Sequence, residues 1–170
     1  MNEKFNETDF LGKVSNTYIM VLTAIMTDNI KRVEHKISPN VKEQLLKITE
    51  ELNSKNLRQM YDELNVKNIV IKDKSEKEDH YEITVLLTSR YMDYQVDKTT
   101  GKYVSGINDR RVEKEQYLTF SKIKNAKETG IIKECPNCGA SIDSNNTGVC
   151  PYCRSVYNLK DYDWILTKIS

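Results

Sequence analysis

Apolar residues recur at helical spacing through the N-terminal part of the chain and predict two amphipathic helices. The first should run from Asn6 to Asn29, with Asn6 or Thr8 as its N-cap. Its apolar stripe consists of Phe10, Leu11, Val14, Tyr18, Val21, Leu22 and Ile25. A Ser38-Pro39 pair, typical of a helix start, opens the second helix. The predicted buried face of that helix consists of Val41, Leu45, Leu46, Ile48 and Leu52.

Two shorter segments also show helical spacing. The first, between the two helices, has its apolar residues at Ile30, Val33 and Ile37. The second would close the helical half of the chain with a further turn or two, and its apolar residues are Leu57, Met60, Tyr61 and Leu64.

Beyond these turns the apolar spacing changes to two, which predicts strands over Val66–Ile71, His80–Val96 and Val112–Ile123. A charged hairpin turn over Lys72–Asp79 and a turn-rich loop over Asp97–Gly106 should join them. The two later strands exceed the usual length, so we expect a bulge or bend and a concave sheet face. Helices followed by such a sheet are α+β, and their packing across it would make a cone with an apolar interior.

The 170 residues suit one medium domain with a small appendage. We expect a helix-and-sheet domain over residues 6–125, a cysteine-containing unit over 131–157 and a final strand over 162–169. That strand contains Trp164, and a lone tryptophan seldom stays in water, so the strand should return to the main sheet.

Two closely spaced cysteine pairs give the strongest chemical signal. Cys135 and Cys138 flank Pro-Asn, Cys150 and Cys153 flank Pro-Tyr, and eleven residues separate the pairs. Each pair directs two thiolates toward one point, and four thiolates bind Zn²⁺ in a closed tetrahedral site. Because no coordination position stays open for water or substrate, the predicted zinc is structural.

Two other uses of these cysteines stay open at this point. Cys150 and Cys153 also have the spacing of a redox dithiol, although residues 155–163 lack the amphipathic helix that such a site needs. Paired disulfides would need an oxidising compartment, and no signal peptide is evident in the sequence. Both alternatives are weaker than structural zinc.

The charge balance argues against a nucleic-acid partner. The chain has 26 Lys and Arg against 25 Asp and Glu, which leaves a net charge of +1. The charges of the cysteine-containing tail cancel, with Lys133, Arg154, Lys160 and Lys168 against Glu134, Asp143, Asp161 and Asp163. Phosphate binding requires a basic surface, and neither half of the chain supplies one. The longest apolar run, Tyr18–Met26, is too short to cross a bilayer.

Several segments resemble the Tim-forty-four-like (Tim44-like) domain family, which includes the C-terminal domain of the mitochondrial inner-membrane import-motor tether. The similar segments are Ile37-Ser38-Pro39, Asp93-Tyr94, the loop from Thr100 to Gly106, and Tyr117-Leu118-Thr119-Phe120. Bacterial members often carry two Cys-x-x-Cys pairs and then an Asp-Trp-aliphatic strand, here Asp163-Trp164-Ile165-Leu166. The resemblance extends from Asn6 to Ile169.

This resemblance implies a nuclear-transport-factor-two-like cone with a zinc ribbon, which docks proteins or membrane surfaces and has no catalytic residues. In the mitochondrial relatives the N-terminal helices contact anionic lipid, whereas the first helix here has Lys13 as its only basic residue. We therefore expect a non-enzymatic bacterial protein of the cytoplasm, with peripheral binding at the inner face of the membrane as an option.

A small-molecule-binding or isomerase-like pocket inside the cone is the alternative. Its candidate residues are Tyr18, Leu22, Met92, Asp93, Tyr94 and Phe120. Asp93 has apolar or aromatic neighbours and would serve as a protonated acid if it pointed inward. In the simpler interpretation, Asp93 lies near a bulge and pairs with Arg90 or a loop amide. The sequence contains no phosphate loop, nucleophile elbow or zincin motif.

Chelation of zinc should unfold the cysteine-containing tail, because metal binding supplies the free energy that folds such a ribbon. A chelator should therefore lower the melting temperature and change the circular-dichroism spectrum. The same chelator saturated with zinc is the control. An unchanged melt would contradict a structural zinc site.

Overall fold

The computed structural model describes residues 5–124, 133–134, 141–142, 152–153 and 163–170. Helices α1 (Glu7–Met26) and α2 (Pro39–Ser54) are joined by a 3-10 helix over Ile30–Lys36. The strands are β1 (Leu57–Glu76), β2 (His80–Asp97), β3 (Tyr103–Ile123), β4 (Lys133–Glu134), β5 (Ser141–Ile142) and β6 (Ile165–Ile169).

The main sheet is antiparallel and has the order β1-β2-β3-β6, while β4 and β5 pair with each other. The helices pack on one face of this sheet. The α+β class predicted from the sequence is therefore confirmed.

The starts of both helices are set by local sequence. The side chain of Asn6 accepts a hydrogen bond from the backbone N–H of Asp9 at 3.0 Å, and the hydroxyl of Ser38 accepts one from Val41 at 3.4 Å. These bonds satisfy N–H groups that have no partner inside the helix. Of the two predicted caps for α1, Asn6 is the one used.

The buried face of α1 is the predicted stripe, but that of α2 differs from the prediction. Val41, Leu45 and Thr49 of α2 are buried, whereas Leu46 and Ile48 are each 37% exposed. The buried residues lie four apart along one line of the helix. Because α2 rests on this narrow line, the apolar residues that flank it stay at the surface.

The predicted helical turns over Leu57–Leu64 are wrong, because this segment is the start of β1. Asn56 follows the C-cap of α2 and has a φ of 54°. This left-handed backbone conformation stops the helix and reverses the chain direction. A bulge follows at Glu63, where φ is 55° and the register with β2 shifts. The bulge lets Tyr61 and Leu64, three residues apart, both pack against the core. The bulge therefore explains why the core-facing residues of this strand are three apart, the spacing expected of a helix.

Register shifts occur at two further places along β1, after Val66 and after Ile71. Bulges increase the local twist. The lengths of the two later strands predicted a bulge there, and the register of β2 with β3 does shift after Tyr91 and after Gln95. The bulges of β1 were not predicted, because only Val66–Ile71 was expected to be a strand in this part of the chain. Strand β2, in contrast, alternates regularly, and its helix-facing side carries the buried residues Tyr81, Ile83, Val85 and Leu87.

The two predicted connections are shorter than expected. β1 continues to Glu76, so residues 77–79 make the first turn, and β3 already begins at Tyr103. Both extensions carry mostly exposed side chains. Alternation of apolar and polar residues marks a strand when one of its faces is buried, so these ends give no such signal.

Strand β6 contacts both the sheet and the helices. It pairs with β3, and its Leu166 carbonyl accepts a hydrogen bond from the Ser38 N–H at 2.9 Å. The Asn40 side chain donates to the carbonyl of Thr167, also at 2.9 Å. Trp164, just before β6, packs edge-to-face on Phe10 with ring centroids 4.9 Å apart.

An ion pair holds the segment that leads into β6. Lys13 of α1 lies 3.0 Å from the carboxylate of Asp163, and Lys36 lies 3.6 Å from it. Burial alone would raise the pKa of Asp163. The bonds from Lys13 and from the Trp164 N–H, together with the charges of both lysines, nevertheless hold that pKa below its ordinary value.

Replacing Asp163 by Asn should lower the free energy of unfolding at pH 7 by about 1–3 kcal/mol, because a part-buried, charge-assisted bond is lost. The folded-state pKa of Asp163 is depressed. Its stabilisation is therefore complete above the unfolded-state pKa of about 3.9 and is lost as the pH falls through the folded-state pKa. Urea titrations should show the difference between wild type and Asp163→Asn shrinking below about pH 4.

The matched control is Asp9→Asn, which removes a more exposed carboxylate that lies 3.3 Å from the same lysine. It should change stability little, because exposed ion pairs are weak. Equal effects of the two substitutions would contradict the role assigned to Asp163.

Candidate functional site

A cavity of about 120 Å³ lies between the two helices and the sheet. Its walls combine aliphatic residues of α1, α2, β3 and β6 with two glutamines and three tyrosines. These polar lining residues are Gln44, Gln116, Tyr18, Tyr61 and Tyr91. None of the side chains that line this cavity is charged. It is therefore suited to an uncharged, largely apolar group.

The tyrosines in this cavity are held in place by specific contacts. The hydroxyls of Tyr18 and Ser89 are hydrogen-bonded at 2.7 Å, and the rings of Tyr61 and Tyr91 meet edge-to-face at 5.0 Å. Burial raises the pKa of both Tyr61 and Tyr91 far above the ordinary tyrosine value, and the charge of Asp93 adds to the effect. At neutral pH these hydroxyls are hydrogen-bonding groups and not bases.

A second cavity of about 190 Å³ adjoins the first and shares Ile48 and Tyr61 with it. Gln59 and Gln95, which are opposite each other on β1 and β2, also line it. Its other lining residues include Glu51 and Lys55, an exposed ion pair with 3.2 Å between nitrogen and oxygen. We refer to the two cavities together as the α2 groove, defined by Gln44, Ile48, Gln59, Tyr61, Tyr91, Gln95 and Gln116. The groove is apolar at its centre and rich in side-chain amides.

The predicted pocket residues occupy different places. Tyr18 and Leu22 line the central cavity, while Phe120 is fully buried with its ring 5.9 Å from that of Phe10. Met92 and Tyr94 do not line this cavity or its neighbour, and the Tyr94 hydroxyl donates to the carboxylate of Asp62.

Asp93 is also absent from the lining of both cavities. Its carboxylate accepts a hydrogen bond from the Gln59 amide at 2.7 Å and lies 3.9 Å from Lys114. It sits at a register shift between β2 and β3, and its side chain is 37% exposed. Asp93 therefore has polar partners at the edge of the groove.

Several residues of the α2 groove were absent from the sequence prediction. The apolar spacing predicts Tyr61 in a helical turn and Ile48 on a buried helix face. Gln44 of α2 and Gln116 of β3 are polar residues on elements far apart in the sequence, and only the packing of α2 over the sheet brings them to one cavity. The one available signal was the period of two over His80–Val96, which places Tyr91 on the same strand face as Ile83, Val85 and Leu87.

A family model described as the Tim44-like domain matches residues 1–130. The chain belongs to the Tim44-like domain family. The family resemblance seen in the sequence is thereby confirmed, and it spans all the helices and β1 to β3 of the described fold.

Other comparisons of this Tim44-like chain add little. No curated protein sequence matches it. Among solved structures, it is similar to one titled "Crystal structure of intermembrane space region of chloroplast protein ARC6", with 9% sequence identity and a TM-score of 0.47. That similarity covers 98% of this chain and 96% of the other.

The cysteine pairs follow the part of the chain that the Tim44-like family model matches. Cys135, Cys138 and Cys150 lie outside the described residues, and Cys153 is exposed. β4 ends directly before Cys135, and its antiparallel pairing with β5 brings the chain together on both sides of the first cysteine pair. Four thiolate donors in two Cys-x-x-Cys pairs suit a zinc ion by their chemistry. Within the described ranges, no three His, Cys, Asp or Glu side chains cluster to hold a metal.

Two observations bear on membrane contact by this Tim44-like domain. Lys13, the one basic residue of α1, is engaged by Asp9 and Asp163. Across the described part of the chain, each helix is too short or too polar to pass through a bilayer.

Proposed function

We propose that this Tim44-like chain is a non-catalytic docking domain that binds a protein partner through the α2 groove. The observation that carries the proposal is an uncharged cavity beside apolar side chains that α2 leaves at the surface. Leu46 and Ile48 are each 37% exposed, and Ile48 lines both cavities of the groove. Burying such side chains against a partner would release water from apolar surface and favour association.

The chemistry of the central cavity favours binding over catalysis. A general acid or base must reach the reacting atoms, and the central cavity has no carboxylate, imidazole or amine in its lining. The Tim44-like family is generally non-catalytic, which agrees with this inference. The alternative is an isomerase-like pocket centred on Asp93. It has less support, because the Asp93 carboxylate already accepts a hydrogen bond from Gln59 and lies beside the Lys114 ammonium.

A protein partner is favoured over an anionic membrane surface. Helices that bind such surfaces carry several Lys or Arg residues on their polar face. The single basic residue of α1 is committed to Asp9 and Asp163. We also propose a cytoplasmic location for the domain, and any position at the inner face of the membrane would depend on its partner.

We further propose that Cys135, Cys138, Cys150 and Cys153 hold a structural Zn²⁺ as a bacterial-type zinc ribbon over residues 131–157. A bound zinc would supply folding free energy and would take no part in a reaction.

We also propose that the α2 groove is the interior of a nuclear-transport-factor-two-like cone. The helices over one face of a bulged sheet support this proposal.

Photo-crosslinking in cells of the source organism tests the docking proposal. A benzoylphenylalanine at position 48 should give a discrete, protease-sensitive adduct, because Ile48 lies at the centre of the groove. The matched control is position 19, since Ile19 is 39% exposed on α1 and lines neither cavity. Adducts with lipid alone, or equal protein adducts from both positions, would overturn the proposal.

A further inference from the structure

Four polar side chains of the central cavity have no hydrogen-bond partner among the described residues. They are the hydroxyls of Tyr61 and Tyr91 and the amides of Gln44 and Gln116. Tyr18, the third tyrosine of the cavity, differs because its hydroxyl is bonded to Ser89. Polar groups inside proteins are normally hydrogen-bonded, so water or a bound group must complete the bonding of these four.

The two tyrosine hydroxyls can be reached from the cavity. In the part of the chain that the structure describes, Arg90 Nε is the one fully enclosed side-chain nitrogen or oxygen without a hydrogen bond. The hydroxyls of Tyr61 and Tyr91 also have no such bond, and they are therefore not fully enclosed. Tyr91 is 7% exposed and lines the central cavity, which gives its hydroxyl access to solvent.

The floor of the cavity is apolar and has room for one aromatic ring. Leu22, Leu118 and Leu166 line it and are buried. An apolar cavity of about 150 Å³ holds a benzene molecule and stays free of water. The cavity of about 120 Å³ found here therefore suits a single ring and is small for the double ring of tryptophan.

The polar group on that ring should be uncharged. No charged side chain lines the cavity, so a charge placed there would be unpaired and costly to bury. The nearby carboxylate of Asp93, whose charge acts on both Tyr61 and Tyr91, would also repel an anion. A neutral hydroxyl meets these conditions, because it can accept a bond from one tyrosine hydroxyl and donate to the other.

The rim of the cavity favours a ring that is carried by a peptide chain. Gln44 of α2 is exposed, and Gln116 of β3 is partly exposed. Each side-chain amide has a C=O acceptor and N–H donors, which match the N–H and C=O of a peptide group. A free aromatic molecule on the apolar floor would leave these amides without a partner.

We propose that the central cavity binds a tyrosine side chain of the protein partner. The ring packs on the buried leucines, and its hydroxyl bonds to Tyr61 and Tyr91. The peptide groups that flank the tyrosine bond to Gln44 and Gln116. Tyrosine is common among the anchor residues of interfaces, because it joins a large apolar area to a polar end. This inference rests on the proposed docking function of the α2 groove.

The first test uses the full chain with p-cresol, which is the tyrosine side chain alone, and with toluene, which lacks the hydroxyl. NMR spectra report the methyl groups of Ile25, Ile48 and Ile169, which line the cavity. Both compounds should shift these methyl signals, because an aromatic ring changes the local magnetic field. Ile19 lines neither cavity, and its signal should stay in place.

Phenylalanine substitutions isolate the contribution of the hydroxyls. Tyr61→Phe and Tyr91→Phe remove hydroxyls that have no bond in the described chain, so the fold should be retained. Together they should raise the dissociation constant of p-cresol, relative to that of toluene, by about tenfold. Tyr117→Phe is the matched control, since Tyr117 is exposed on the other face of the sheet and should leave this ratio unchanged.

The peptide groups are tested with N-acetyl-L-tyrosinamide. It should bind about fivefold or more tightly than p-cresol and more tightly than its D enantiomer, because the rim amides fix the orientation of the peptide groups. Replacing both Gln44 and Gln116 by Met keeps the side-chain size and removes the amides. This double variant should abolish the gain and leave the affinity for p-cresol unchanged.

Three results would overturn the tyrosine assignment. The first is the absence of methyl shifts with every compound at millimolar concentration, which would leave water as the occupant. The second is an equal loss of p-cresol and toluene affinity in the Tyr→Phe variants. The third is N-acetyl-L-tyrosinamide binding no better than p-cresol, which would identify a free phenol as the ligand. Protein adducts at position 48 together with any of these results would keep the docking function and remove the tyrosine.

Discussion

Strand β6 fixes the helices over the sheet because it is bonded on both of its edges. One edge pairs with β3, and the other accepts hydrogen bonds from Ser38 and Asn40 at the start of α2. Ser38 is also the N-cap of α2, so the position of β6 sets where that helix begins. Trp164 and Asp163, which precede β6, attach the same segment to α1 through Phe10 and Lys13.

The α2 groove is a consequence of this arrangement. α2 is held at its N-terminal end by β6 and rests on a narrow line of buried residues, so the space beneath its exposed flank is incompletely filled. Protein interiors are normally close-packed, and a cavity of this size lacks the contacts that would otherwise stabilise the core. A partner side chain that fills it would restore those contacts. The absence of charge in the cavity lining makes such binding compatible with apolar groups and leaves little means for acid–base chemistry.

The sequence predicts those parts of the fold in which one face is buried and the backbone is regular. The stripe of α1, the caps at Asn6 and Ser38, and the alternation of β2 are in this class. The start of β1 is not, because the bulge at Glu63 gave a strand the spacing of a helix. The family resemblance agreed with the expectation, drawn from length and pattern, that the helices and the sheet form one domain.

The candidate site was less predictable than the fold. Its amide and tyrosine residues come from several helices and strands. No local sequence pattern specifies how the strands pair or how the helices pack on them. Asp93 drew attention through its apolar neighbours in sequence, yet residues alternate between faces along a strand, and its spatial neighbours are Gln59 and Lys114.

Native-state hydrogen exchange of β6 tests the central claim most directly. If β6 holds the helices to the sheet, its hydrogen-bonded amides should exchange only through global unfolding, with the same free energy as the amides at the centre of β2. Exchange of β6 at a distinctly lower free energy, while β2 and α2 stay protected, would contradict the account.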